Sequence, residues 1–328
     1  MRGDFMSMFF SGTKKERNKA EAKGIKDGGF TYIFNQTITA LSPSTSPQTP
    51  GVNVTFSNSQ TAHFDLVVAA DGQGSRTRKL AFGEETSSSA FKSLNIHAAF
   101  YNIPRHPTES NLARIYMGPN RRMYLTRTGD RPETQIYHFL MDATPQESAH
   151  LSATFKRPLA EQKAAWTQLF QDAGWESPRF LKALQDVDDF YACEVGQVKM
   201  PGQKLHKDRV VLLGDAGYCP SLFTGMGTTL SLMGVAGELA RNPRDVDKAL
   251  DAYQEVMKQP ILECQRLMPG VASGWYPKSE WAIWMWNSVL WGVACLKVDK
   301  MVAWVLGSLP ASKTKWKIPD YEELMLDK

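Results

Sequence analysis

Two short apolar runs, residues 65–70 (DLVVAA) and 210–213 (VVLL), constrain this chain more than any other feature. A strand that is apolar at consecutive positions is buried on both faces, as in a parallel sheet covered by helices. Each run stops at a turn that carries an acid, Asp71-Gly72 after the first and Gly214-Asp215 after the second. In open α/β sheets, ligands gather outside the carboxyl ends of the strands. Both turns are therefore candidate binding elements.

The first turn continues into Ser75, Arg76 and Arg78, which puts an acid, a sharp bend and two guanidiniums together. Planar guanidiniums suit phosphate or pyrophosphate, although a tight turn ahead of a solvated basic helix start explains the spacing equally well. The second turn continues through a Pro-containing loop to Gly225-Met226-Gly227, just before a predicted helix. Glycines there let backbone approach a ligand closely, and Asp215 can accept a hydrogen bond from a sugar hydroxyl. Taken singly, this too reads as a strand–loop–helix connection.

Elsewhere, residues 30–41 and 52–57 read as strands around a Ser/Pro/Thr turn cluster at 42–51. Residues 90–142 alternate apolar and polar positions, with strand pieces at 91–101, 112–117, 123–126 and 134–141, which predicts an antiparallel sheet. Its aromatics Phe100, Tyr101, Tyr116, Tyr124, Tyr137 and Phe139 can line a pocket or fill the sheet's core. Helices are predicted at 4–10, 160–173, 178–184, 227–238 and 245–267, and further strands at 191–200 and 210–213. Residues 14–27 read as a charged loop or helix end. Residues 281–296 form an apolar, Trp-rich run flanked by Lys278, Lys297 and Lys300. It falls short of the ~20 residues of a membrane span; burial is the first reading, membrane-surface association the second and a true span the third.

Composition excludes several classes. The formal charge of +4 is too small for a nucleic-acid footprint. Cys193, Cys219, Cys264 and Cys295 lie far apart without a C-x-x-C pair, and the histidines form no metal-ligand spacing, so no metal site is expected. G-x-S-x-G is absent, which removes the α/β-hydrolase reading.

The segments DLVVAADGQGSRTR and GDAGYCPSLFTGMGTT resemble the DG and GD motifs of the FAD-dependent aromatic hydroxylases and monooxygenases with the para-hydroxybenzoate hydroxylase fold, in the tetracycline-hydroxylase-like branch. Arg2-Gly3-Asp4-Phe5 resembles that family's R-x-x-L segment, and IPDY at 318–321 also fits. The resemblance implies FAD as cofactor, NAD(P)H as co-substrate, and O2 with a small aromatic, polyketide or terpenoid-like molecule as substrates, as in secondary metabolism. Cofactor contacts would come from Arg2, Asp71, Gly72, Arg76, Gly214, Asp215, Ala216, Gly225, Met226 and Gly227. Asp215 would meet the ribityl chain or ribose, and the backbone of 225–227 would lie under the isoalloxazine ring. Cys219, beside that loop, is expected to pack rather than react. No side chain is assigned as a catalytic base.

Family members open with a βαβ unit bearing G-x-G-x-x-G, which takes roughly a hundred residues that this sequence does not show before its first motif. The expected fold is therefore α/β (α+β): an incomplete Rossmann-like FAD-binding domain (1–85 and 190–265), an antiparallel-sheet substrate domain (86–189) and a helical C-terminal region (266–328). The helix after the GD motif is expected about one turn short. A cytoplasmic location is expected, with peripheral membrane contact through 281–296 as its variant. Two other readings stay open, a truncated and inactive flavoprotein homologue and an FAD oxidoreductase that inserts no oxygen.

Overall fold

The computed structural model describes residues 31–267 except 45, 47 and 233–235, together with 11, 12, 14, 276, 277 and 279–296. Arg2, the predicted helix at 4–10, IPDY and almost all of 14–27 lie outside the described residues.

Three sheets organise the described residues. The first is an antiparallel meander of β1 (Ile38–Pro43), β2 (Val52–Phe56) and β3 (Thr61–Phe64). Its first strand starts at Ile38 rather than residue 30, and Ile33 and Phe34 ahead of it are exposed. β3 is a strand the sequence did not reveal; TAHF is short and mostly exposed, with little apolar contrast. β4 (Val67–Ala69) then enters a separate small sheet and leads through the Asp71 turn into α1 (Arg76–Phe82) and α2 (Glu84–Ala90).

The largest sheet follows: β5 (Phe91–Pro104), β6 (Arg114–Met117), β7 (Arg122–Arg127) and β8 (Glu133–Leu140), joined from further along the chain by β9 (Tyr191–Val198). Its order is β6-β7-β8-β5-β9, antiparallel throughout, so the sheet extends past residue 189. Between β8 and β9 run α3 (Pro145–Thr154), α4 (Leu159–Phe170) and α5 (Ser177–Asp186). The unforeseen α3 starts at a capping box, Thr144 with Glu147, which is the T-x-x-E signature ahead of a helix.

Period-two alternation decides the faces of this sheet. Ala99, Tyr101, Tyr124, Ile136 and Leu140 point to the back, where Trp166, Phe170, Phe180 and Leu184 of α4 and α5 cover them. Each large side chain buried there contributes roughly 2–3 kcal/mol. His138 sits in the same layer, fully buried, its Nε2 2.9 Å from Tyr101 Oη. Tyr101 also donates to the Phe180 carbonyl at 3.1 Å, so the imidazole donates to the phenol oxygen and stays neutral.

The chain returns through β10 (His206–Lys207) to β11 (Val210–Leu212), completing the small sheet β10-β11-β4, with β11 parallel to β4. There follow α6 (Asp215–Tyr218), α7 (Gly227–Leu232), α8 (Ala236–Arg241) and α9 (Val246–Cys264). The predicted helix at 227–238 is thus described as two pieces on either side of 233–235. α9 packs Leu250, Tyr253, Met257 and Ile261 against Leu205, Val211 and Tyr218. Tyr253 fixes the end of β11 by donating to the Leu212 carbonyl at 3.1 Å. α10 (Glu280–Cys295) stands apart, with most of its apolar side chains exposed, against the expectation of burial.

The buried His138 makes the fold acid-sensitive at an unusually high pH. Burial pushes its pKa down to about 3, whereas the unfolded chain protonates it near 6.5. The unfolded state therefore gains a proton first, and stability falls as pH drops from 6.5 towards 3, by at most about 4 kcal/mol. Thermal melts between pH 7 and 4 should show this slope beginning above the carboxylate range; His138→Gln should reduce it, leaving the part due to His97, whose pKa burial also lowers.

Candidate functional site

The parallel pairing of β4 and β11 is what builds the site. Val67, Val68 and Ala69 pair with Val210, Val211 and Leu212, and Leu213 N donates to the Ala69 carbonyl at 2.9 Å. Asp71 and Gly214 each lie two residues past the last pair, so the two turns leave the sheet level and side by side.

In the first turn, Asp71 folds back on its own segment. Its carboxylate accepts from Ser75 Oγ at 2.5 Å and from Thr77 N and Oγ1, both at 3.0 Å. Burial raises its pKa, but these three donors together outweigh burial and hold the group below the usual carboxylate value. Ser75 caps α1 by accepting from Arg78 N. Gly72 has φ +83°, and a Cβ added there or at Gly74 would meet nothing within 4 Å, so the turn presents bare backbone to open space.

The two arginines separate. Arg78 is 2% exposed and spends its guanidinium inside the protein, donating to Ser87 Oγ (2.9 Å), the Gln73 carbonyl (2.9 Å) and the Ala216 carbonyl (2.6 Å). It is a clamp between the turns, and the expected pair of phosphate-facing guanidiniums does not form. Arg76 is exposed and leans towards Thr37 Oγ1 at 3.2 Å. Arg2 lies outside the described residues.

In the second turn, Gly214 has φ 62° and ψ −136°, and a Cβ would stand 2.6 Å from Ser231 Oγ, so only glycine fits. Asp215 is exposed at the start of α6, while Ala216 is buried and gives its carbonyl to Arg78. Gly225 is left-handed, exposed and open above its Cα; Met226 packs inward on the α9 core. The Cβ position of Gly227 lies 3.9 Å from Asp215 Oδ1. The acid and the Gly-Met-Gly stretch thus border one space.

Three amides that were not singled out from sequence, half-buried Gln73 and buried Gln197 and Gln265, hold this arrangement. Gln73 Nε2 donates to the Glu194 carbonyl at 2.9 Å, which ties the first turn to β9. Gln197 Nε2 donates to the Pro220 and Gln265 carbonyls, both at 2.9 Å, and Gln265 Nε2 donates to the Val198 carbonyl at 2.7 Å. Nothing in a lone sequence separates these glutamines from solvated ones; only tertiary placement does. Cys219 is buried beside them, and burial, with Asp215 adding to it, pushes its pKa up to about 12. It is therefore a packing thiol at neutral pH.

The loop lies against the front face of the large sheet, where Phe223 meets Phe139 at 6.0 Å between ring centroids. That face carries Ile96, Ala98 and Phe100 from β5, Tyr137 and Phe139 from β8, and Met123 and Leu125 from β7. A cavity of about 220 Å³ opens there, bordered by Phe100, Asn102, Gln135, Tyr137, Asp189 and Tyr191. Of the six aromatics singled out from sequence, Phe100, Tyr137 and Phe139 face this side. Tyr101, Tyr116 and Tyr124 belong to the helix-covered back, because neighbours on a strand alternate. A larger cavity of about 720 Å³ lies behind the sheet between α3 and α4, away from both turns. Among the described residues, no group of His, Cys, Asp and Glu could hold a metal ion.

No family model matches the chain. It is 32% identical to the FAD-dependent monooxygenase asL6 of Sarocladium schorii over 331 residues, covering 99% of this chain and 74% of that protein. It is 30% identical to the monooxygenase CTB7 of Cercospora beticola over 271 residues, 79% of this chain and 62% of the relative. Among solved structures, the tetracycline destructase Tet(55) superposes with a TM-score of 0.61 at 25% identity, over 88% of this chain and 70% of that one. Klebsiella pneumoniae HpxO, complexed with FAD and uric acid, shares the fold with a TM-score of 0.53 at 17% identity, over 78% of this chain and 62% of that one.

Replacing the clamp should uncouple the turns. Arg78→Met leaves the Gln73 and Ala216 carbonyls and the Ser87 hydroxyl without their donor, at a cost of about 2–4 kcal/mol. Chemical denaturation should show that loss, whereas Arg76→Ala should stay within about 0.5 kcal/mol of the parent.

Proposed function

The chain belongs to the FAD-dependent monooxygenases, and we propose that it inserts one oxygen atom of O2 into an uncharged, apolar small molecule held on the front face of the five-stranded sheet. The observation that carries this is the level pairing of the two acid-bearing turns, with a loop from the second laid on an aromatic sheet face.

The residues present fit a flavin. Gly72, Gly74 and Gly225 leave open space above their Cα atoms, so a flat or chain-like group can rest on backbone. Gly214 admits no side chain because Ser231 of α7 stands against it, and Asp215 is an exposed acceptor for ribityl or ribose hydroxyls. In this reading Gly72, Gly214, Asp215, Ala216, Gly225, Met226 and Gly227 hold FAD, and Asp71 shapes the first turn. Arg76 and Arg2 complete the proposed set from the motif resemblance. Bound FAD, reduced by NAD(P)H, supplies the reaction with O2.

The protein's own work is positioning. Gln197 and Gln265 pin the loop at Cys219–Pro220, so the backbone of 225–227 is held in place before any ligand arrives. Phe139 and Phe223 close the site from water at the loop end. Beyond them, Phe100, Tyr137 and Tyr191 form a stacked and edge-on aromatic floor that suits a planar or isoprenoid-like substrate. Arg127 and Glu133 stand at the far rim of this face and Asp189 borders the cavity, while the floor itself is aromatic, which favours an uncharged molecule over an anion. Secondary metabolism is the setting proposed, in line with the fungal relatives. The proposed division is a cofactor unit of 1–85 with 190–265, a substrate unit of 86–189 completed by β9, and a C-terminal region of 266–328. We place the protein in the cytoplasm, with peripheral membrane contact through 281–296.

Titration of FAD into the purified chain, followed by quenching of flavin fluorescence, should saturate in the micromolar range. Asp215→Ala should weaken binding about 10–100-fold, or roughly 1.4–2.7 kcal/mol, without shifting the melting temperature of the FAD-free protein, because the carboxylate is exposed. With NAD(P)H and labelled O2, one heavy oxygen should appear in the product. Absence of saturable flavin binding would leave an inactive homologue as the reading, and flavin turnover without label would leave an oxidoreductase.

A further inference from the structure

We propose that α10 is a docking element that seats the protein on an anionic phospholipid surface. α10 has sixteen residues, and Glu280 is its sole charged one. Ala282, Ile283 and Trp286 are half-buried, so one side of the helix rests on protein. The rest is open: Trp281 is 66% exposed, Trp284 65% and Trp291 71%, with Met285, Val289, Leu290 and Val293 also exposed and Leu296 just beyond. A monomer in water rarely leaves so many contiguous apolar side chains uncovered.

Length and composition select the occupant. At 1.5 Å per residue the helix is about 24 Å long, short of a hydrocarbon core of about 30 Å. Among the described residues no helix is long and apolar enough to cross a membrane. A helix that is too short to span but presents indole rings outward matches the interfacial layer, where tryptophan's apolar body and polar N–H are both satisfied. In sequence it is bracketed by Lys278, Lys297 and Lys300, against Glu280 and Asp299, and no charge lies between 281 and 296. Lys278 and Glu280 balance before the run, and Lys297 and Lys300 outweigh Asp299 by one charge after it, which favours an anionic headgroup plane. A second copy of the helix fits less well, because helix pairing uses one narrow stripe repeating every three to four residues. Here the exposed apolar residues spread over a wide arc.

The tether locates the surface relative to the site. Just ahead of α10, the Tyr276 hydroxyl bonds to the Gly118 carbonyl at 3.1 Å and to the Arg122 carbonyl, both at the β6–β7 turn. The helix therefore starts from the rim of the substrate sheet. The same edge exposes Leu112 (72%) and Ile115 (64%), and Ile115 pairs with Leu125 on the front face. Tyr276 thus ties the segment ahead of α10 to the edge hairpin that carries Ile115. This placement extends the membrane contact given above and rests on that functional reading only for its purpose.

The test uses the full chain with vesicles of phosphatidylcholine and phosphatidylglycerol, scored by flotation and tryptophan emission. The wild type should float with the vesicles, shift its emission to the blue, and bind less in high salt. The triple variant W281S/W284S/W291S should bind at least tenfold more weakly while keeping its circular dichroism, since all three side chains are exposed. A wild type that stays in the aqueous phase overturns the proposal. So does self-association without vesicle binding, or a triple variant that floats equally well. FAD titration on the same preparations separates the two readings: vesicle binding lost with flavin binding intact sinks the docking proposal alone, and the reverse sinks the cofactor reading alone.

Discussion

A guanidinium buried to 2% exposure would be a liability in most cores, yet the two binding turns depend on one. Arg78 leaves water to reach the Gln73 carbonyl in the first turn and the Ala216 carbonyl in the second, with Ser87 taking its Nε–H. Burial lowers its pKa, and the nearby Asp71 charge works against that. Because each neutral acceptor bonds a charged donor, the three contacts compensate desolvation better than ordinary hydrogen bonds would. The geometry of one turn is thereby transmitted to the other. Asp71 serves the same end, since by folding the Ser75–Thr77 segment onto itself it aims Arg78 inward. The motif's acid and its second arginine are thus structural partners, and the surfaces left to a ligand are bare glycine backbone and Asp215.

The large sheet is asymmetric in a way that follows from the same economy. Its back carries Tyr124, Ile136, His138 and Leu140 under three helices and forms the densest apolar cluster. The front carries a comparable apolar series, against which Phe223 and Leu267 pack among the described residues. A sheet stabilised on one side alone can leave the other available, because the back cluster already supplies the burial energy that holds register. The neutral His138 belongs to that layer, bonded to Tyr101, and it makes the well-packed side the pH-sensitive one.

What could be read from the sequence was whatever has a local period or a turn signature. The apolar runs at 67–69 and 210–212, their acid-bearing turns and the four strands of 90–142 all emerge from pattern alone, since burial on two faces or one dictates the residue order. The two turns become a site only through the β4–β11 register, which a one-dimensional reading cannot place. Gln73, Gln197 and Gln265 were invisible for the same reason, their partners being 121, 23 and 67 positions away. For Arg78 the spacing left phosphate recognition and a solvated helix start equally open, and its burial to 2% exposure fits neither. The split of Phe100 from Tyr101 was legible in principle, because adjacent strand residues cannot share a face. The T-P-Q-E cap of α3 was equally legible and was outweighed by weak apolar periodicity in the helix behind it.

The exposed helix and the uncharged floor bear on one physical problem. A substrate without charge that suits Phe100, Tyr137 and Tyr191 is poorly soluble in water, and its free concentration there limits encounter. An enzyme with an open apolar sheet edge gains most if that edge lies where such molecules accumulate. Tyr276 fixes the start of the tryptophan-rich helix at the β6–β7 turn, the end of the sheet opposite β9. The loop that carries Phe223 meets the sheet nearer its centre, at Phe139 of β8. A molecule entering over Ile115 would therefore cross Leu125 and Tyr137 before reaching the loop, meeting only apolar or aromatic side chains on the way. The front face, on this argument, is open because it is a path as well as a floor.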